Sequence, residues 1–128
     1  QKNAWVEGTG DIVTPIFVKP TWLVMIFSKH NISTSDIFSK YTHKNHFREF
    51  SYDDYLENNT INDFEEIVFK NYPSIPQSYK YLSRYGRARM TGTGGTVFLP
   101  MPSYEEAKKV LSRLPNKEIS LIVKSLDI

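Results

Sequence analysis

"RMTGTGGTVF", Arg89 to Phe98, holds three of the chain's six glycines. How it joins its neighbours decides the fold. "ARM" before the glycines and "TVFLPM" after them read as strands. A loop between two adjacent strands makes an antiparallel connection. A dinucleotide fingerprint instead needs a strand before and a helix after, and a Walker motif needs a Lys-Ser/Thr that does not follow here. Two readings of the loop stay open. It is a plain tight turn, or it brings backbone N–H groups close to a phosphate. Thr91, Thr93 and Thr96 add hydroxyls. Lys80, Arg84, Arg87 and Arg89 approach from upstream with no acid among them, and as a solvated helix face they need no ligand. Only Arg89 adjoins the loop in sequence.

Downstream, "SYEEAKKVLSRL" is the clearest helix. Ser103 and Glu106 have capping-box spacing, and Ala107, Val110, Leu111 and Leu114 form one apolar stripe. "EISLIVKSL" closes with a strand. Upstream, "YPSIPQSYKYLSRYG" places Pro73 and Pro76 in the first turn of a helix. Ile75, Tyr79 and Leu82 share its face, and Gly86 reads as its stop. "NDFEEIVFK" predicts another helix, with Asn62 as cap and Glu65 at the reciprocal position.

Ser33 and Asp36 predict a short helix in "NISTSDIFSKY". Residues 42–59 read as a mobile polar segment with one helical turn near Tyr52 to Leu56. "WLVMIF" (Trp22 to Phe27) is a continuous apolar run, expected as a central strand covered on both faces. "AWVEGTGDIVTPI" reads as a hairpin turning at Gly8-Thr9-Gly10. Strands outnumber crossover helices. The fold class is therefore α+β, a mainly antiparallel sheet covered by helices on one side, with a ferredoxin-like arrangement expected.

At 128 residues this is one domain's worth of chain. Its 40% apolar content, with eight Tyr and eight Phe, supplies a core. The net charge of +2, from 16 basic and 14 acidic residues, is too balanced for a nucleic-acid or membrane surface. Without cysteine there is no disulfide framework, thiolate zinc site or cysteine nucleophile. His30, His43 and His46 include a His-x-x-His pair without the adjacent acid of a metal motif. Asp53, Asp54, Glu57, Asp63, Glu65 and Glu66 suit a divalent ion, or simply helix dipoles and solubility. Phe38 and Tyr41 suit base stacking or core packing. No complete active site emerges from the residues. The chain begins with Gln1 rather than Met and is expected to be part of something longer.

"WVEGTGDIVTPI", "ISTSDIF", "NDFEEIVFKNYPSI", "RMTGTGGTVFLP" and "SYEEAKKVL" together cover nearly the whole chain. In this order they resemble the C-terminal half of the 4-diphosphocytidyl-2-C-methyl-D-erythritol kinases, of the GHMP kinase superfamily. The resemblance implies a two-domain kinase of non-mevalonate isoprenoid biosynthesis, with its active site between the domains. ATP with Mg2+ serves the complete enzyme, and a hydroxyl of the methylerythritol part accepts the phosphoryl group. The ATP loop and the catalytic Lys and Asp belong to the N-terminal domain. No catalytic residue, no tightly bound cofactor and no activity are therefore expected of this chain alone.

The resemblance also assigns residues. Thr34 and Phe38 match the substrate-binding segment, in which the aromatic packs on the cytosine ring. Gly92, Thr93, Gly94 and Gly95 match the glycine motif that faces phosphate transfer, and Arg89 stands where some members carry Arg. Residues 1–19 are expected as a hairpin of the interdomain or N-terminal-domain sheet, and 20–128 as the C-terminal domain. The implied partners are that N-terminal domain and a small cytidine diphosphate substrate, in the bacterial cytoplasm, with no nucleic acid and no membrane. An unpaired hairpin edge in the isolated chain invites dimerisation. Residues 42–60 match no family pattern. The rival reading is a stand-alone ferredoxin-like ligand-binding or interaction module whose glycine loop is only a turn.

Overall fold

Val24 and Ile26 alternate with less buried neighbours, and so do Val97, Leu99 and Met101. That alternation builds the core face of a four-stranded sheet. The computed structural model describes residues 2–41, 49–116 and 118–126. The chain opens with strands β1 (Ala4–Glu7) and β2 (Ile12–Pro15), which pair only with each other. Strand β3 (Trp22–Phe27) follows, then helices α1 (Thr34–Lys40), α2 (Tyr52–Leu56), α3 (Glu65–Asn71) and α4 (Ser74–Ser83). Strands β4 (Arg89–Met90) and β5 (Thr96–Met101) flank the glycine loop, and α5 (Tyr104–Arg113) leads to β6 (Ile119–Lys124).

The sheet order is β4-β5-β3-β6, with every neighbouring pair antiparallel. Numbered from β3, that order is 2-3-1-4, the ferredoxin-like topology expected from the sequence. Helix α4 lies against β5, and α5 spans β3 and β6. Ile75 and Leu82 of α4, with Ala107 and Val110 of α5, close the core over the sheet. Val68 of α3 and Ile37 of α1 extend it, both fully buried.

The sequence reading of "WLVMIF" needs correction. The strand is central, but the core-forming helices α4 and α5 pack on one face. Val24 and Ile26 are buried, whereas Leu23, Met25 and Phe27 on the other face are half-buried. Phe98 and Leu121 flank Met25 there, so the sheet is apolar on both faces.

Cap geometry departs from the sequence reading in three ways. Ser33 and Ser103 accept from Asp36 N and Glu106 N, both at 3.2 Å. The carboxylates of Asp36 and Glu106 turn instead to Lys40 and Lys109, at 2.8 and 2.7 Å. A lysine one turn on competes successfully for the acid. The reciprocal box forms in α2, where Ser51 and Asp54 exchange both bonds. Gly86 is no left-handed stop. It lies where a Cβ would meet Leu99 Cδ1 at 3.0 Å, so it is a packing glycine.

The third departure is Asn62. Helix α3 starts at Glu65 after Phe64, with no side-chain cap on its N-cap residue. Asn62 Oδ1 accepts from Phe64 N at 3.0 Å, two residues on. Its amide reaches elsewhere. The Glu65 carboxyl faces Met90 of β4 rather than reaching back to Asn62.

Candidate functional site

The glycine loop closes as a hairpin, with Thr91 N donating to Thr96 O at 2.9 Å and Gly94 N to Thr91 O at 2.8 Å. Gly92 and Gly94 have φ of +42° and +102°, where L side chains are strained. The glycines then divide by role. Gly94 is buried against Val68 and Met90. Gly92 and Gly95 are exposed, and a Cβ on either would have no neighbour within 4 Å. Only these two leave room for something to approach the backbone.

Three different elements hold this loop. Ser28 N, at the end of β3, donates to Gly95 O at 3.0 Å. Asn62 Nδ2 donates to Met90 O at 3.1 Å and Gly92 O at 2.8 Å. The hydroxyls of Thr34 and Thr93 lie 3.0 Å apart. Thr34 is the first residue of α1, so the segment matched to substrate binding meets the glycine loop directly, across 59 positions of sequence.

Phe38 lies one turn along α1 from Thr34. It is 57% exposed, which sets aside the core reading. Its ring meets Phe64 edge-on at 5.0 Å, and Tyr41 meets the same ring at 5.3 Å. Three aromatic rings therefore cluster between α1 and the start of α3. Sequence reasoning missed Phe64, because it falls inside a stretch read as helix start and cap.

Arg89 points from β4 to the sheet face away from the core. Its guanidinium donates to Thr60 and lies over the rings of Tyr55 and Phe98, at 5.6 and 6.0 Å. Thr60, Tyr55 and Phe98 all lie off the glycine loop. Arg87 donates to Asn59 Oδ1 at 3.1 Å, and Arg84 lies over Tyr81 at 5.7 Å. The hydroxyl of Thr91 turns inward to Thr96 O at 3.3 Å.

Between β4 and the segment leading into α3 is a cleft of about 360 Å³ that Asn62, Glu65, Tyr79, Arg87 and Arg89 help to line. Burial pushes the Glu65 carboxyl above its ordinary value of 4.5, against the Met90 N–H and the charges of Arg87 and Arg89. Burial also raises Tyr79, helped by the Glu65 charge. A carboxyl raised on folding binds its proton more tightly in the native state. Stability then falls as pH rises from about 4.5 through the raised native value. Glu65→Gln keeps the acceptor for Met90 N–H and is expected to flatten that decline. Urea unfolding of both proteins across this window checks it, and identical slopes would contradict it.

Three of the acids read as a candidate ion site have separate structural partners. Asp54 completes the α2 capping box, Glu57 accepts from Asn59 at 3.0 Å, and Glu65 faces β4. Among the described residues no group of three His or acidic side chains could hold a metal. His30 N bonds Ser28 Oγ at 3.0 Å. His43 and His46 lie outside the described residues.

The hairpin β1–β2 turns through Gly8 and Gly10, with φ of +65° and +92°. Trp5 packs on Tyr52 and Tyr55 of α2 at 5.8 and 6.4 Å, and Tyr52 Oη donates to Phe17 O at 2.9 Å. Val6, Ile12 and Val13 remain more than half exposed.

The sequence profile described as "GHMP kinases C terminal" matches residues 40–120. A protein of Buchnera aphidicola subsp. Schizaphis graminum, named 4-diphosphocytidyl-2-C-methyl-D-erythritol kinase, is 35% identical over 127 residues. The match takes in 99% of this chain and 44% of that protein. Proteins of the same name from Tolumonas auensis and Pseudomonas aeruginosa are 33% and 30% identical. There the match covers 88% and 99% of this chain, against 39% and 45% of theirs. The chain thus spans less than half the length of these relatives. A crystal structure of 4-(cytidine 5'-diphospho)-2C-methyl-D-erythritol kinase superposes with a TM-score of 0.80. It is 15% identical, and the overlap is 94% of this chain and 48% of that one, which establishes the shared fold.

Proposed function

Since this chain belongs to the family of GHMP kinase C-terminal domains, we propose that it is the substrate-side part of a kinase. The kinase passes a phosphoryl group from ATP to a hydroxyl of 4-diphosphocytidyl-2-C-methyl-D-erythritol. The names of its relatives support that substrate. The observation that carries the reading is the bond between Thr34 and Thr93, which joins the aromatic helix to the glycine loop. A cytidine ring stacked on Phe38 then extends its diphosphate along Thr34 toward Gly92–Gly95.

Phosphoryl transfer asks mainly for positioning and electrostatic stabilisation. The exposed backbone at Gly92 and Gly95 offers N–H groups without a side chain in the way. Bound ATP, accompanied by Mg2+, supplies the phosphoryl group. Within this chain Phe38 orients the base, Thr34 fixes the approach of α1, and the loop stabilises developing negative charge. With its guanidinium on Thr60, Arg89 adds positive field more than direct contact. The catalytic base and the ATP loop are assigned to an N-terminal domain in the bacterial cytoplasm, and the isolated chain is inactive.

The same reading assigns residues 1–19 to the interdomain sheet and 20–128 to the C-terminal domain. In support, β1 and β2 form a separate two-stranded sheet whose Val6 and Val13 are exposed. In the isolated chain, the outer edges of that hairpin are where a second copy would pair.

The test is Gly95→Ala in the longer polypeptide. The new methyl meets no protein atom within 4 Å, so folding stability is expected to hold. Turnover is expected to fall about tenfold or more, as a donor position is obstructed. Unchanged turnover would return the loop to a plain turn.

A further inference from the structure

We propose that Asn62 is a positioning residue that holds the phosphate-facing loop and the aromatic wall in one register. The inference rests on the reading of the site given above. It assigns a role to a side chain that touches neither the base nor the phosphate.

Asn62 is half-buried and uses both kinds of hydrogen-bonding capacity. Its Nδ2 donates to Met90 O at 3.1 Å and to Gly92 O at 2.8 Å. Its Oδ1 accepts from Phe64 N at 3.0 Å. The three partners are the end of β4, the first glycine of the loop, and the backbone N–H of Phe64, the residue whose ring Phe38 rests against. Helix capping alone needs only an oxygen acceptor, and Asp or Ser serves as well as Asn. Two carbonyls received at once need an amide, which carries two donors beside its acceptor.

The geometry at β4 strengthens this point. Asn62 takes the Met90 carbonyl at the outer edge of β4, and the Glu65 carboxyl faces the same residue. Gly92 leaves the strand at φ +42°, and its carbonyl direction sets where the following N–H groups point. A misplacement of roughly 1 Å in such a group costs up to about 100-fold in rate.

Asn62→Asp separates the two halves of the clamp. Aspartate keeps the acceptor for Phe64 N–H, but it cannot donate and sets a carboxylate against two carbonyl oxygens. In the longer polypeptide, kcat is expected to fall about tenfold while KM for the cytidine substrate stays within about twofold. In the 128-residue chain, the amide NMR signals of Gly92 to Gly95 are expected to move while that of Phe64 stays in place. Asn62→Ala removes both halves, so both KM and kcat change and Phe64 moves as well. Unmoved loop amides with wild-type kcat in Asn62→Asp would overturn the proposal. So would an equal effect of the two variants on kcat, KM and thermal midpoint, which marks a merely structural role. If the wild-type polypeptide fails to act on the cytidine substrate, the kinase reading falls, and the amide signals still decide the clamp.

Discussion

Gly94→Ala is expected to destabilise the protein by about 2–5 kcal/mol, from backbone strain and overpacking together. Gly94 has φ +102°, which an alanine adopts only under strain. A Cβ built there would lie 2.6 Å from Val68 Cγ1, 3.0 Å from Val68 Cγ2 and 3.2 Å from Met90 Sδ. Val68 is fully buried at the junction of α3 with the core, so it cannot swing away. A thermal midpoint lowered by roughly 10–20 °C is the expected readout for a domain of this size. A midpoint equal to wild type would show that the loop is not packed as described. Because Gly94 acts through packing, its substitution says nothing about phosphate. That question belongs to Gly95, whose missing side chain faces open space.

Phe38→Ala is expected to weaken binding of the cytidine substrate to the longer polypeptide by about 1–3 kcal/mol. The ring is exposed and held edge-on by Phe64, which leaves its other surface for a base. Stability should change little by comparison, since removal of an exposed ring sacrifices one aromatic pair, worth about 0.5–1.5 kcal/mol. Titration calorimetry with cytidine 5'-diphosphate measures the affinity, and urea unfolding measures the stability. Phe38→Tyr, which keeps the stacking face, should restore most of the affinity. An affinity unchanged in a folded Phe38→Ala protein would remove the ring from the site.

The elements were legible where their cause is local. Ser103 before an apolar stripe marks α5, the apolar run "TVFLPM" after the glycines marks β5, and two prolines mark the first turn of α4. Order then forces the topology, since a short glycine loop can join β4 and β5 only as antiparallel neighbours. Long-range competition was not legible. Asn62 and Glu65 have the spacing of a capping box, and only the fold shows that β4, 25 residues or more along, claims both. Arg89 looked free for the loop until Thr60 and Tyr55 were seen beside it. Those two residues come from a stretch without periodicity. The roles of Thr34 and Phe38 came from family resemblance. Their meeting with Thr93 and Phe64 came from the structure alone.

The most direct test is turnover by the polypeptide that joins this chain to the residues encoded immediately upstream. Purified protein is given ATP, Mg2+ and 4-diphosphocytidyl-2-C-methyl-D-erythritol, and products are followed by phosphorus NMR. The expected products are a new phosphate monoester on the methylerythritol part, formed together with ADP, and none from the 128-residue chain alone. Product formed by the isolated chain, or none formed by the longer polypeptide, would contradict that expectation.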